Sequence, residues 1–232
     1  FSVLKDISKK GGNVVDVAVA VALSLSVTHP YYASLGGGGF ALLKLNKKVD
    51  ALDFRETAPK QMSSNFFSGK PSSASVDGPL AIGVPGIPSG LWELHKRYGS
   101  LHWSRLFPKV IELASKGFEV SGEWADITTK NTTRFNEAGK RYFFKKNKIA
   151  LKRGEKRTQE ELAKDLKEMS VRGPVPFYSG MVARDIVETV QGQGGVLSLA
   201  DMKSYKPRWL RPLEANYSGF KAYLMPPPSS GG

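Results

Sequence analysis

The sequence predicts an α/β protein, and three observations support this class. Strand patterns lie near both ends of the chain, helical patterns fill the region between them, and no internal repeat is present. The chain has 232 residues, of which 41% are hydrophobic, so it can bury a sizeable core. This length suits one domain or two small ones, and we predict that residues 1–232 form a single domain.

The first strong element is an apolar helix over residues 14–27. Asn13 can cap its first turn, and Asp16 at the third helical position suits the positive end of the helix dipole. Apolar residues cover nearly its whole circumference, which predicts a helix at the centre of the core. The stretch is too short to cross a bilayer, so we expect no membrane span.

A hairpin follows a loop that ends in four consecutive glycines, residues 36–39. Residues 40–45 and 49–54 have strand patterns, with a turn over residues 46–48. The glycines remove side chains where the backbone must approach something closely or adopt positive φ. Arg55 follows the returning strand and is therefore expected near the glycine loop. Its guanidinium suits bidentate capture of a substrate carboxylate; a structural ion pair with Asp53 or Glu56 is the alternative.

The rest of the chain is predicted as an irregular connection, a series of helices and two final strands. The irregular connection covers residues 60–81, which are rich in Ser, Pro and Lys. The helices are expected at residues 88–98, 103–116 (broken or started at Pro108), 121–133, 158–171 and 179–193, with a short one from residue 198. The strands are expected at residues 210–216 and 220–225, joined by a turn at residues 217–219.

Composition excludes several kinds of site. The sequence has no cysteine, so it can form neither a disulfide nor a thiolate nucleophile. Its three histidines are scattered without metal-ligand spacing, and we predict no metal site. The net charge of +13 favours anionic partners, and basic residues cluster at 140–157 together with Phe143 and Phe144. No nucleic-acid-binding signature accompanies this cluster, so a solvated basic face without a nucleic-acid partner is expected.

Four blocks of the sequence together resemble the large subunit of the gamma-glutamyltransferases. They are GGNVVDVA at residues 11–18, LGGGGF at 35–40 with DFRETAP at 53–59, IGVPG at 82–86, and PPPSSGG at 226–232. The blocks occur in the order and at the spacing of that family, and they span essentially the whole chain. Each block alone is a weak signal, but the four together are specific.

The resemblance implies a fold, and it implies that the nucleophile belongs to a second subunit. The fold would be a four-layer αββα sandwich of the N-terminal nucleophile hydrolase type, completed by a small subunit. The nucleophile of the family is the threonine that autocleavage leaves at the amino terminus of that small subunit. We therefore expect no catalytic residue in this chain, although Ser229-Ser230-Gly231, otherwise a proline-rich turn, is the nearest candidate. Arg55 matches the arginine that binds the α-carboxylate of the gamma-glutamyl group.

The activity implied is gamma-glutamyl acyl transfer from glutathione and related amides, without metal or cofactor. Export of the family implies a periplasmic or extracellular location. Two alternatives use the same scaffold: a poly-gamma-glutamate depolymerase and a cephalosporin acylase. A third, from another class, is a non-catalytic protein that binds an anionic polymer through residues 140–157.

Overall fold

The computed structural model describes residues 2–145 and 149–230. The chain divides into two compact units, each built from two stretches of sequence. Unit 1 comprises residues 1–34 and 101–171, and unit 2 comprises residues 35–100 and 172–232. The prediction that the whole chain is a single domain stays a prediction.

The chain contains both helices and strands, which are joined by turns and by one long irregular connection. The helices are α1 (Ser2–Lys9), α2 (Val14–Thr28), α3 (Pro30–Ala33), α4 (Ile87–Tyr98), α5 (Pro108–Lys116), α6 (Gly122–Lys130), α7 (Glu137–Phe143), α8 (Glu160–Arg172), α9 (Val175–Ser179), α10 (Met181–Gly192) and α11 (Leu199–Ser204). The strands are β1 (Phe40–Leu45), β2 (Lys48–Asp53), β3 (Phe118–Glu119), β4 (Lys156–Arg157), β5 (Arg208–Leu210), β6 (Leu213–Tyr217) and β7 (Phe220–Leu224). The mixture confirms the α/β class.

Unit 1 is organised around α2, as its apolar sequence predicts. Asn13 accepts hydrogen bonds from the backbone N–H groups of Val15 and Asp16, and the Asp16 carboxylate accepts one from the backbone of Asn13 in return. This capping box starts the helix at the predicted residue. Val19 and Leu23 on α2 are fully buried, and α1 and α5 pack against the helix.

The basic segment of unit 1 contains secondary structure that its sequence did not predict. Helix α7 lies in this region, and β4 pairs with β3. Two of its lysines are ion-paired, Lys140 with Glu137 at 3.4 Å and Lys145 with Glu155 at 2.6 Å. Lys146 and Lys148, which belong to the basic cluster, lie outside the described residues.

Unit 2 contains the predicted glycine-flanked hairpin within a three-stranded antiparallel sheet of order β1-β2-β5. Phe40 pairs with Asp53 in the hairpin, and Asp53 pairs with Arg208 on β5. The hairpin turn includes Asn46 at a φ of 55°, a left-handed conformation that asparagine tolerates well. Residues 60–81 form the irregular connection that was predicted, with two short 3-10 turns.

Several predicted boundaries differ from the observed ones, in part because prolines and glycines interrupt the elements. The helix expected at residues 103–116, with a break or start at Pro108, is a 3-10 turn followed by α5, which starts at Pro108 as predicted. The helix expected at 179–193 is α10, which starts after Gly180, and α9 before it was not predicted. The helix expected at 121–133 ends at Lys130. The strand expected at 210–216 is divided between β5 and β6, because Pro212 has no N–H to donate to a sheet.

Candidate active site

The glycine loop of unit 2 packs tightly against the end of strand β2. Gly39 and Phe54 exchange two backbone hydrogen bonds, of 2.9 and 3.2 Å, which extend the hairpin beyond its strands. A Cβ atom on Gly38 would lie 2.6 Å from the backbone nitrogen of Glu56, closer than real side chains approach. Glycine is therefore required at position 38 for close backbone approach, one of the two roles expected of the glycine run.

The turn at residues 84–86 also contacts the glycine loop. The backbone N–H groups of Gly86 and Ile87 both donate to the Gly37 carbonyl, at 2.8 and 3.0 Å. Val84 forms an isolated antiparallel bridge with Thr57. A side chain on Gly86 would collide with the Phe54 carbonyl. Two of the four sequence blocks noted above therefore meet at one place: the block formed by residues 35–40 with residues 53–59, and the block at residues 82–86.

Arg55 leaves the end of β2 with its backbone fixed on both sides. Its N–H donates to Oδ1 of Asp53 at 2.9 Å, and its carbonyl accepts a hydrogen bond of 2.9 Å from the hydroxyl of Tyr205. The side chain is exposed, and its Nη1 lies 3.5 Å from the carbonyl oxygen of Pro228. This is the outer limit of a hydrogen bond, so the guanidinium keeps nearly all its donor capacity.

The alternative of a structural ion pair at Arg55 is not found. Asp53 is buried, and its Oδ2 lies 2.6 Å from Nη2 of Arg208 on β5. Within residues 2–145 and 149–230, neither Asp53 nor Glu56 forms an ion pair with Arg55. The guanidinium of Arg55 is therefore available to a ligand.

A pocket of about 450 Å³ opens beside Arg55 within unit 2. Its lining combines the Arg55 and Glu56 side chains with backbone and apolar groups. The other lining residues are Gly36, Thr57, Ala58, Pro59, Met62, Phe67, Ser75, Leu80, Ala81, Ile82 and Gly83. A guanidinium beside a carboxylate at the edge of such a pocket can hold the two charged ends of a free amino-acid group.

Tyr205 and Tyr178 stack on one another below the Arg55 backbone. Their ring centroids lie 5.7 Å apart and the ring planes differ by 6°. The Tyr178 hydroxyl donates to the Pro85 carbonyl at 2.8 Å and accepts from the N–H of Ser89 at 3.3 Å. Burial raises the pKa of Tyr178, and burial together with the carboxylates of Asp53 and Glu56 raises the pKa of Tyr205. Both hydroxyls therefore stay protonated and act as donors at neutral pH.

The nearest sequence candidate for a nucleophile, residues 229–231, begins at a turn. Ser229 is half-buried and its N–H donates to the Pro226 carbonyl at 3.2 Å, as in a turn; Ser230 is exposed, and Gly231 lies outside the described residues. In the part of the chain that the structure describes, no three His, Asp or Glu side chains are grouped so that they could hold a metal ion. No helix in the same part is long and apolar enough to cross a membrane.

Sequence reasoning predicted Arg55 as a site residue but did not indicate the residues that contact its backbone and its neighbour Asp53. Tyr205 and Arg208 are about 150 residues away in the chain, and neither belongs to one of the four motif blocks. Both residues lie in the segment that follows α11. The sequence analysis did not predict that part of this segment pairs with β2. Tyr178 lies in a stretch that was predicted only in part as helix.

Comparisons with known proteins match the chain over nearly its whole length. A family model described as Gamma-glutamyltranspeptidase matches residues 2–232. The chain is 39% identical over 238 residues to the glutathione hydrolase proenzyme of Pseudomonas aeruginosa, covering 99% of this chain and 42% of that protein. It thus spans about two fifths of the length of this relative.

Solved structures show the same similarity. The gamma-glutamyltranspeptidase of Helicobacter pylori matches with a TM-score of 0.95 and 36% identity, over 99% of this chain and 68% of that one. The gamma-glutamyltranspeptidase from Pseudomonas nitroreducens, complexed with L-DON, matches with a TM-score of 0.91 and 36% identity, over 99% of this chain and 69% of that one. These matches confirm the predicted fold class.

Proposed function

Because the chain belongs to the gamma-glutamyltranspeptidase family, we propose that it provides the substrate-binding part of an enzyme that transfers gamma-glutamyl groups. One observation carries the proposal: the guanidinium of Arg55 has no ion-pair partner among the described residues and lies at a pocket of about 450 Å³. In this proposal Arg55 binds the α-carboxylate of the gamma-glutamyl group through a charge-assisted contact.

The reaction would proceed in two acyl-transfer steps. With the α-carboxylate held by Arg55, the gamma-carbonyl carbon of the substrate is placed within reach of a nucleophile. A threonine hydroxyl on a partner subunit attacks this carbon and the amide nitrogen leaves with a proton; from glutathione the leaving group is cysteinylglycine. Water or the amino group of an acceptor then attacks the gamma-glutamyl ester and releases the threonine. No metal or cofactor is needed for either step.

The partner in this proposal is a small subunit that begins with the nucleophilic threonine and completes the αββα sandwich. One finding supports it: the P. aeruginosa relative is named a proenzyme. We also propose a periplasmic or extracellular location, on the basis of the family. The relatives named above favour glutathione and similar gamma-glutamyl amides over poly-gamma-glutamate or cephalosporins as substrates.

The test is an assay of the complete protein that contains this sequence. Intact mass measurement and amino-terminal sequencing should first reveal a second polypeptide that begins with threonine. The processed protein should then release cysteinylglycine from glutathione, and it should act weakly on poly-gamma-glutamate and on cephalosporins. Preferred cleavage of either of those would favour the corresponding relative instead. Salt-sensitive retention on an anionic polymer without any acyl transfer would favour the non-catalytic binding protein.

A further inference from the structure

We propose that Tyr205 is a positioning residue for Arg55. Its hydroxyl group holds the Arg55 backbone through a hydrogen bond to the carbonyl. The inference rests on the proposed function, because it concerns how Arg55 is aimed at the substrate carboxylate. It goes beyond that function in assigning a role to a residue about 150 positions further along the chain. In this role Tyr205 does not touch the substrate.

The backbone around Arg55 is held by two side chains that act on opposite sides of the residue. Asp53 accepts the N–H of Arg55 at 2.9 Å, and Tyr205 donates to its carbonyl at 2.9 Å. Among residues 2–145 and 149–230, the exposed Arg55 side chain makes a single weak polar contact that could fix its direction, at 3.5 Å to the carbonyl oxygen of Pro228. The direction of the guanidinium therefore depends mainly on the position of the Arg55 backbone. A displacement of about 1 Å in a group that positions substrate lowers the catalytic rate substantially.

Tyr205 is itself rigidly supported. Its ring stacks on Tyr178, whose hydroxyl is bound to the turn at residues 84–86 through the Pro85 carbonyl. The same turn binds the glycine loop through Gly86, and a side chain on Gly86 would collide with the Tyr205 hydroxyl. This series of contacts links the Arg55 carbonyl to the loop that lies against the pocket.

A direct chemical role for Tyr205 fits the structure less well. Its hydroxyl donates to a backbone carbonyl, and Tyr205 is not among the residues that line the pocket beside Arg55. Burial and nearby carboxylates also disfavour the phenolate, so Tyr205 does not suit the role of a base. The contribution of its ring to packing is separable from that of its hydroxyl, because phenylalanine keeps the ring and removes the hydrogen bond.

The experiment compares two donors in the assembled enzyme with the substitution Tyr205→Phe. One donor has a free α-carboxylate, and the other is the same gamma-glutamyl amide with an α-methyl ester, which cannot form the ionic contact. We expect KM for the free acid to rise roughly twofold to tenfold, the range for one lost hydrogen bond, with kcat changed less than about twofold. KM for the ester should stay the same. Tyr217→Phe, at an exposed tyrosine on β6, is the matched control and should change neither donor.

Combining variants separates this inference from the proposed function. If Tyr205 acts through Arg55, the pair Arg55→Ala and Tyr205→Phe should have the same KM as Arg55→Ala alone. The inference is overturned if Arg55→Ala raises KM but Tyr205→Phe leaves it unchanged. It is also overturned if Tyr205→Phe weakens both donors equally, since that result indicates a general structural role. If Arg55→Ala itself leaves KM for the free acid unchanged, the proposed function of Arg55 fails, and this inference fails with it.

Discussion

The buried carboxylate of Asp53 pairs with Arg208 at 2.6 Å, although Arg55 is two residues away from it in sequence. Asp53 is only 4% exposed, so its charge needs a partner, and β5 supplies that partner from the neighbouring strand. Its second oxygen accepts the backbone N–H of Arg55. One carboxylate thus fixes the backbone of Arg55, and the guanidinium of Arg55 has no ion pair in the part of the chain that the structure describes.

Arg55→Ala should weaken substrate binding in the assembled enzyme more than it slows the chemical step. A charge-assisted contact contributes about 1.5–3 kcal/mol, so KM for a gamma-glutamyl donor should rise roughly tenfold to a hundredfold. Arg55→Lys should restore only part of this loss, because lysine lacks the planar fork of the guanidinium. Steady-state kinetics will measure both, and wild-type KM in Arg55→Ala would refute the assignment.

Arg208→Ala should destabilise the protein, because it leaves the Asp53 charge buried without its ionic partner. We expect a loss of about 1.5–3 kcal/mol in the free energy of unfolding, measured by denaturant titration. Arg211→Ala is the matched control, since Arg211 is exposed and forms no ion pair in the described part of the chain. Its effect should stay within about 0.5 kcal/mol. Equal effects of the two substitutions would contradict the importance of the Asp53–Arg208 pair.

Gly38→Ala should disturb the pocket through the backbone of residues 55 and 56. The new Cβ would lie 2.6 Å from the Glu56 nitrogen and 2.7 Å from its Oε2, so the segment must move. We expect a stability loss of about 1–3 kcal/mol together with a raised KM for the donor. Gly192→Ala at the end of α10 is the control: nothing lies within 4 Å of its Cβ position, and alanine there should stabilise the helix slightly. Wild-type KM and stability in Gly38→Ala would show that the loop is not tightly packed.

Asp201 should make stability dependent on pH in the acid range. Burial alone would raise its pKa, but hydrogen bonds from Ser198 and from the backbone N–H of Lys60 outweigh burial and lower it. A carboxyl group with a lowered pKa stabilises the fold above its unfolded value of about 3.9, and this contribution is lost as the pH falls through the folded pKa.

The corresponding test is Asp201→Asn, followed by denaturant titration from neutral pH down to about pH 2. At neutral pH the variant should be less stable by about 0.5–2 kcal/mol, and the difference from wild type should shrink below about pH 4. Asp185→Asn, at an exposed position on α10, is the control for removing a surface carboxylate and should change the stability at neutral pH by less than about 0.5 kcal/mol. A constant difference between Asp201→Asn and wild type across this range would exclude a titration effect.

Local patterns predicted the elements that depend on nearby residues. Helix α2 begins at the capping residue, Asn13, that the sequence indicated, and the hairpin of β1 and β2 differs from its prediction by one residue. The position of Arg55 followed from the hairpin pattern and from the glycine run that precedes the hairpin. The helix start at Pro108 was also predicted, whereas the boundary at Gly180 was harder to place, because tertiary contacts decide whether such a residue ends or only bends an element.

The partners of the site could not be predicted because they depend on long-range pairing. Nothing in residues 205–210 indicates that Tyr205 will meet Arg55 or that Arg208 will meet Asp53. Those contacts follow from the antiparallel register of β5 against β2, which a single sequence does not specify. Helix α7 in the basic segment was not predicted either, because the sequence of residues 140–157 indicated only a solvated basic face.

The contacts of Arg55 also have a consequence for the order of folding. Arg55 meets Tyr205 and Pro228, which are 150 and 173 positions away in sequence. Closing such long loops is entropically costly and contacts of high sequence separation form slowly, so the surroundings of Arg55 should be among the last parts of unit 2 to acquire native structure. During synthesis on the ribosome, the hairpin of β1 and β2 can form early, while the arginine at its end stays without its hydroxyl anchor until the segment around Tyr205 has emerged.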